Sequence, residues 1–86
     1  MTQGRPWYRA RSLAAMGLAV RGVREASAIT QAQLAVRVRT SRATISRIER
    51  GAPASSETLL AALAACGYEL VVMPRDASLQ VEADRA

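Results

Sequence analysis

The sequence contains no histidine, no lysine and a single cysteine, Cys66. A lone cysteine cannot close a disulfide within the chain, and without histidine no metal-ligand set is available. No convergent carboxylates make up for the missing histidines, so general acid–base and metal-assisted chemistry lack their usual parts. Neither enzyme activity nor a cofactor is expected, and Cys66 reads as a small apolar residue on the inner face of the last helix. Aromatic residues are also few, one Trp and two Tyr, although half of the 86 residues are apolar. A single domain of this size hides only about 60–65% of its unfolded surface, so a core built largely of alanine is thin. Pairing with a second copy would enlarge it, though small helical domains can also stand alone. No apolar stretch approaches the roughly 20 residues of a membrane helix. Residues 13–20, behind Arg5, Arg9 and Arg11, faintly mimic a secretory signal, but Arg21 and Arg24 follow at once. The expected location is the cytoplasm, in association with the nucleoid. No repeats or low-complexity segments are visible.

Arginine is what the sequence has in plenty. Twelve basic residues, all Arg, face seven acids, a net charge of +5. That balance alone fits a nucleic acid, an anionic membrane or an acidic protein equally well. Five of the twelve fall between positions 37 and 50, against one acid, Glu49. Their clustering favours nucleic acid. A membrane-surface peptide would need one long amphipathic helix, whereas these residues flank a helical turn.

The cluster sits in QAQLAVRVRTSRATISRIERG, residues 31–51. The spacing predicts a helix over 31–38, a turn of Arg39, Thr40 and Ser41, and a second helix over 42–50. Leu34, Val38, Ile45 and Ile48 give each helix one buried stripe. Ala35 sits at the crossing, where a small side chain permits close approach. Ser41 is placed to cap the second helix. That helix turns Arg42, Ala43, Ser46, Arg47 and Arg50 outward, a short, basic face of the kind that enters a major groove. Arg42 and Arg47 are the candidates for reading base edges, since Arg bonds bidentately to guanine O6 and N7. Ala43 can touch a thymine methyl, and Ser46 an adjacent edge. Gln31, Ser41, Thr44 and Arg50 suit phosphates, which set register without reading sequence. For each of these residues singly, a solvated helix face is the plain alternative.

TSRATISRIERG is close in wording to the helix-turn-helix of the Cro/repressor-type (XRE) family, and the resemblance extends over about Ser12 to Met73. SSETLLAALAACGYELVVMP resembles the HipB-type antitoxins within that family. The resemblance implies a mainly α, four-to-five-helix lambda-repressor-like DNA-binding domain, with a short C-terminal β-strand pairing across a homodimer. Its implied partners are double-stranded DNA with a palindromic operator and, if the antitoxin likeness holds, a HipA-like kinase toxin whose operon the chain represses. A free-standing regulator of the same fold is the alternative. The resemblance also implies that Arg24 of the first helix pairs with Glu49, a structural ion pair; a solvated face for Arg24 is the other possibility. Ala28 and Arg39 stand where relatives usually carry Gly, so both are expected to bear a positive φ with mild strain. Arg39 adds a charge on the DNA side.

The remaining segments follow in order. Residues 1–11 form a basic arm that either reaches into a minor groove or along phosphates, or packs through Trp7 and Tyr8 against a partner or against the first helix. The main domain spans 12–67, with its helix-turn-helix at 31–50. Ser12 caps a first helix over 13–27, with Leu13, Gly17, Val20, Arg24 and Ser27 on one stripe beside Met16 and Val23. Thr30 caps the next helix. Ser55 caps a last helix over 56–66, where Leu59, Leu60 and Leu63 form the buried side and Gly67 ends it. Residues 68–74 are the expected dimerisation strand, with Tyr68, Leu70 and Val72 on one side and Glu69, Val71 and Met73 on the other. The alternative is a segment that merely extends over the body. Residues 75–86 read as a mobile tail.

Overall fold

The same two local devices bound every helix. The computed structural model describes residues 5–80, and within them lie α1 (Leu13–Ala26), α2 (Gln31–Arg37), α3 (Arg42–Glu49) and α4 (Ser56–Ala65). Each starts at a hydroxyl residue, Ser12, Thr30, Ser41 or Ser55, whose side chain accepts from the N–H three positions on. Such caps satisfy donors that the first turn leaves free. At Thr30 the bond is reciprocated, for the Gln33 side chain accepts from the Thr30 N–H at 2.8 Å. Each helix ends in a left-handed residue closed by a pair of backbone hydrogen bonds. Gly51 and Gly67 serve after α3 and α4; Ala28 (φ 59°) and Arg39 (φ 57°) serve after α1 and α2. The bonds at Arg39 run from its N–H to Val36 O and from Thr40 N–H to Ala35 O. The positive φ expected at both non-glycine positions is therefore present.

The expected helix ends shift by one residue each: Ser27, Val38, Arg50 and Cys66 are C-caps rather than last helical residues. Side-chain patterning mostly holds. Val20, Val23, Leu34, Ala35, Ile45, Ile48, Ala62, Leu63 and Cys66 make one core. Leu13 and Leu60 depart from it, each about half exposed, while Ala19 and Ala62 are buried. Small residues suit this packing because α1 and α3 approach very closely. A Cβ on Gly17 would lie 2.8 Å from the Glu49 carbonyl oxygen and 2.9 Å from the Gly51 nitrogen, and closer still to Ile48 O. Only glycine fits there.

Beyond Gly67 the structure departs from expectation. No strand forms over 68–73, which runs as irregular chain. Tyr68 packs against the core, yet Leu70, Val71 and Val72 are exposed, Val72 almost entirely. The physical reason is that a single strand has no ladder to join: no backbone hydrogen bond connects 69–73 to another described residue. The arm, in contrast, is ordered against the body. Arg5 donates to Cys66 O at 2.8 Å and stacks over the Tyr68 ring, while the Tyr68 hydroxyl donates to Pro6 O at 2.7 Å. Arg9 and Arg11 donate to Ala77 O and Arg75 O, tying down the start of the expected tail. The rest of that tail, 81–86, and the arm's first four residues lie outside the described residues. No described helix is long and apolar enough to cross a membrane.

Candidate nucleic-acid interface

The frame of the interface is an ion pair with a third member. Arg24 of α1 donates from Nε to Glu49 Oε2 at 2.6 Å and from Nη2 to Oε1 at 3.0 Å, a bidentate grip across 25 residues of sequence. Its Nη1 donates to Ile29 O at 2.9 Å. Gln31, the first residue of α2, donates from Nε2 to Glu49 Oε1 at 2.9 Å. One carboxylate thus joins α1, α2 and α3. Glu49 is buried, 8% exposed, and a buried carboxylate must have its lone pairs satisfied. The Arg24 guanidinium is held above its ordinary pKa, first by the hydrogen bonds to Glu49, against a smaller opposing effect of partial burial.

Gln31, expected to offer its amide and its helix N-terminus to a phosphate, here donates from its amide to Glu49. The amide is turned inward because Glu49 has an acceptor site that Arg24 alone does not fill.

On this frame α3 is held with one face out. Ile45, Ile48 and Glu49 are buried; Ser41, Arg42, Ala43, Arg47 and Arg50 are exposed; Thr44 and Ser46 are half-buried between. Arg42 has no side-chain partner among the described residues. Arg47 makes only a long contact from Nη2 to Thr44 Oγ1, 3.5 Å. Both guanidinia are thus available to a ligand. Arg50 donates to Ser46 Oγ, which fixes the two together at the C-terminal end of the face. The Ser41 hydroxyl accepts from Thr44 N–H at 3.0 Å and shares a 2.9 Å bond with Thr44 Oγ1. These two therefore shape the helix start before they can serve as phosphate donors.

Electrostatically the face is one-signed. Arg37, Arg39, Arg42, Arg47 and Arg50 are exposed along α2, the turn and α3, whereas Glu49, the single acid of that stretch, is buried and already neutralised. A basic, short-chained helix face of this kind matches phosphates at its margins and base edges at its centre. Among the described residues no group of His, Cys, Asp and Glu is arranged to hold a metal ion.

A fold in which a capped, basic second helix stands out from a three-helix frame is that of helix-turn-helix DNA-binding regulators. A family model described as a helix-turn-helix domain matches residues 15–73, and the chain belongs to that family, in its Cro/repressor (XRE) branch. Solved structures agree. A crystal structure of the clp gene regulator ClgR from Corynebacterium glutamicum is 34% identical, with a TM-score of 0.64, over 66% of this chain and 62% of that one. The chain therefore spans less than two thirds of that ClgR chain; in a second ClgR structure, 30% identical, the match covers 80% and 85%. The restriction-modification controller protein C.AhdI from Aeromonas hydrophila is 28% identical over 66% of this chain and 88% of that one, with a TM-score of 0.63. A chain of the HipA-HipB-O2-O3 complex shares the fold at a TM-score of 0.71, with 21% identity over 81% of this chain and all of that one. No curated protein matches the chain.

Two features of the frame were not visible in the sequence. The Gln31–Glu49 bond spans 18 residues, and nothing local marks it. The carbonyl contacts of Arg5, Arg9 and Arg11 are likewise silent in sequence, since every residue offers a carbonyl.

Proposed function

We propose that this chain is a sequence-specific DNA-binding regulator that represses transcription as a homodimer on a palindromic operator. It acts by binding, without catalysis or cofactor, in the cytoplasm. One observation carries the reading. Arg42 and Arg47 stand free on the exposed face of α3, while the only acid of the helix pair is buried and matched by Arg24. Arg42 and Arg47 read base edges, and Ala43 and Ser46 lie against the bases between them. Arg50, Arg39, Ser41, Thr44 and the α2 N-terminus at Gln31 meet phosphates. Dimerisation comes from the segment 68–73, whose unbonded backbone edge pairs antiparallel with its two-fold mate and so forms the strand through Tyr68, Leu70, Val71 and Val72. Selection of bound sites from random duplex DNA tests this. An inverted repeat with guanines in each half is the expected result, and enrichment without any symmetric motif would overturn the reading.

A second reading adds a partner. The likeness of residues 55–74 to HipB-type antitoxins favours an antitoxin that binds a HipA-like kinase toxin and represses their common operon. The greater identity with ClgR, a clp gene regulator by name, favours a free-standing regulator instead. A kinase-like reading frame beside the gene, with co-purification of its product, separates the two; a neighbourhood without one leaves the free-standing regulator.

A further inference from the structure

A large apolar groove, about 510 Å³, lies between the arm, α1 and the segment after α4. Its floor includes Met16, Ala19 and Val23 of α1, and its two rims are the arm and the C-terminal segment. Both rims expose apolar side chains among charged ones, Arg9 and Arg11 on the arm and Glu69 and Arg75 on the C-terminal segment. Trp7 is 49% exposed and Tyr8 42% on one side; Leu70, Val71 and Val72 are exposed on the other, with Leu79 beside them. The rims are also fastened together. Arg5, Arg9 and Arg11 of the arm all donate to carbonyls between Cys66 and Ala77, and Tyr68 donates back to Pro6 O. The arm's three basic side chains are thus spent on holding the C-terminal segment rather than extended toward a phosphate backbone.

We infer that arm and C-terminal segment form one composite surface, and that its occupant is a second copy of this chain, with Trp7 as the anchor. This rests on the reading that the chain works as a pair, and adds that the arm supplies half of the contact. Exposure supports it. Trp7, Tyr8, Leu70, Val71, Val72 and Leu79 on the rims each stay more than a third exposed, and the core of a stable pair covers side chains of this apolar kind. Backbone chemistry supports it as well: residues 69–73 carry donors and acceptors that no other described backbone group uses, and an identical antiparallel segment is their natural complement. The two-fold mate of that segment brings its own Val71 and Val72 across the groove toward Trp7. A large, half-exposed aromatic is the residue type that dominates such contacts.

Trp7 is the only tryptophan, so the intact chain carries its own probe. Sedimentation and Trp emission are followed together on dilution of the full-length protein, with Trp7→Ala and Val71→Pro examined alongside by sedimentation. The expected result is an emission that moves to the blue as the dimer forms, in step with mass, and a dimer weakened about 30-fold or more by Trp7→Ala, with helical content kept. A parent that dimerises with unchanged Trp emission overturns the role of the arm, even if Val71→Pro still abolishes the dimer and so supports strand pairing. A parent that stays monomeric at micromolar concentration overturns both. Emission that shifts only when duplex DNA is added assigns the arm to DNA and likewise overturns the inference.

Discussion

Arg42 and Arg47 project from the exposed face of α3 with little to hold them in place. Arg5, Arg9, Arg11 and Arg50 all donate to partners within the chain, whereas Arg42 has none among the described residues. Replacing Arg42 or Arg47 with Ala is expected to cost roughly 1–3 kcal/mol at the selected site and to relax preference at particular base pairs. Arg50→Ala should instead weaken all sequences alike and flatten the salt dependence by about one phosphate contact. Titrations on cognate and scrambled duplexes at several salt concentrations check this, and equal losses on both duplexes for Arg42→Ala and Arg47→Ala would remove the assignment. Arg24 works differently, since it is matched rather than free. Removing one member leaves a buried charge, so Arg24→Met or Glu49→Leu should each destabilise by about 3 kcal/mol, and the double change by clearly less than their sum. The stabilisation does not titrate near neutrality: the folded pKa of Arg24 is raised, so its contribution is present in full from neutrality up to the ordinary arginine value and is lost as pH rises through the folded one. Thermal unfolding of the three variants at pH 6 and 8 decides both points; additive losses would mean that the two residues do not act together.

At the scale of elements, close packing and turn geometry make opposite predictions for two small residues. Gly17 faces the α3 backbone, which cannot step aside, so Gly17→Ala should cost roughly 3 kcal/mol through overpacking. Ala28 has a left-handed backbone that glycine adopts freely. Ala28→Gly should relieve about 1 kcal/mol of that cost against about 0.5 kcal/mol of added unfolded-state freedom, a small net gain. Calorimetry on the two variants reads the signs directly, and a stabilised Gly17→Ala would contradict the close α1–α3 approach. These elements also show what a sequence can announce. The four hydroxyl caps were legible because a cap and its N–H lie three residues apart, and the core of α2 and α3 because apolar spacing is local. The positive φ at Ala28 and Arg39 came from likeness to a family that uses glycine there. Leu13 and Leu60 were misplaced inward because periodicity marks a face but not which leucine on it reaches the core. The strand was legible as a propensity at 68–73, but its ladder partner is not part of one chain, and so it does not form here.

For the whole molecule, size limits how two copies can lie on DNA. The described residues extend 34 × 30 × 18 Å along their principal axes. Two recognition helices on copies that touch through residues 68–73 can stand about 34 Å apart, one turn of B-DNA, on the same side of the duplex. Two turns would require about 70 Å, the full end-to-end length of two such bodies in contact, which would put each α3 at the outermost tip of its body. The operator is therefore expected to have half-sites centred about 10 base pairs apart. Inserting 5 base pairs between them would turn one half to the opposite side and should reduce affinity toward that of a single half-site; inserting 10 should not restore it. A proline at Val71 removes a donor from the pairing edge without touching α2 or α3. Val71→Pro should keep its helical signal, sediment as a monomer and bind the parent operator no better than the 5-base-pair insertion is bound by the parent protein. Equal affinity of the parent for the original and the 5-base-pair operators, or a fully active Val71→Pro dimer, would show that the two halves are not joined through this segment.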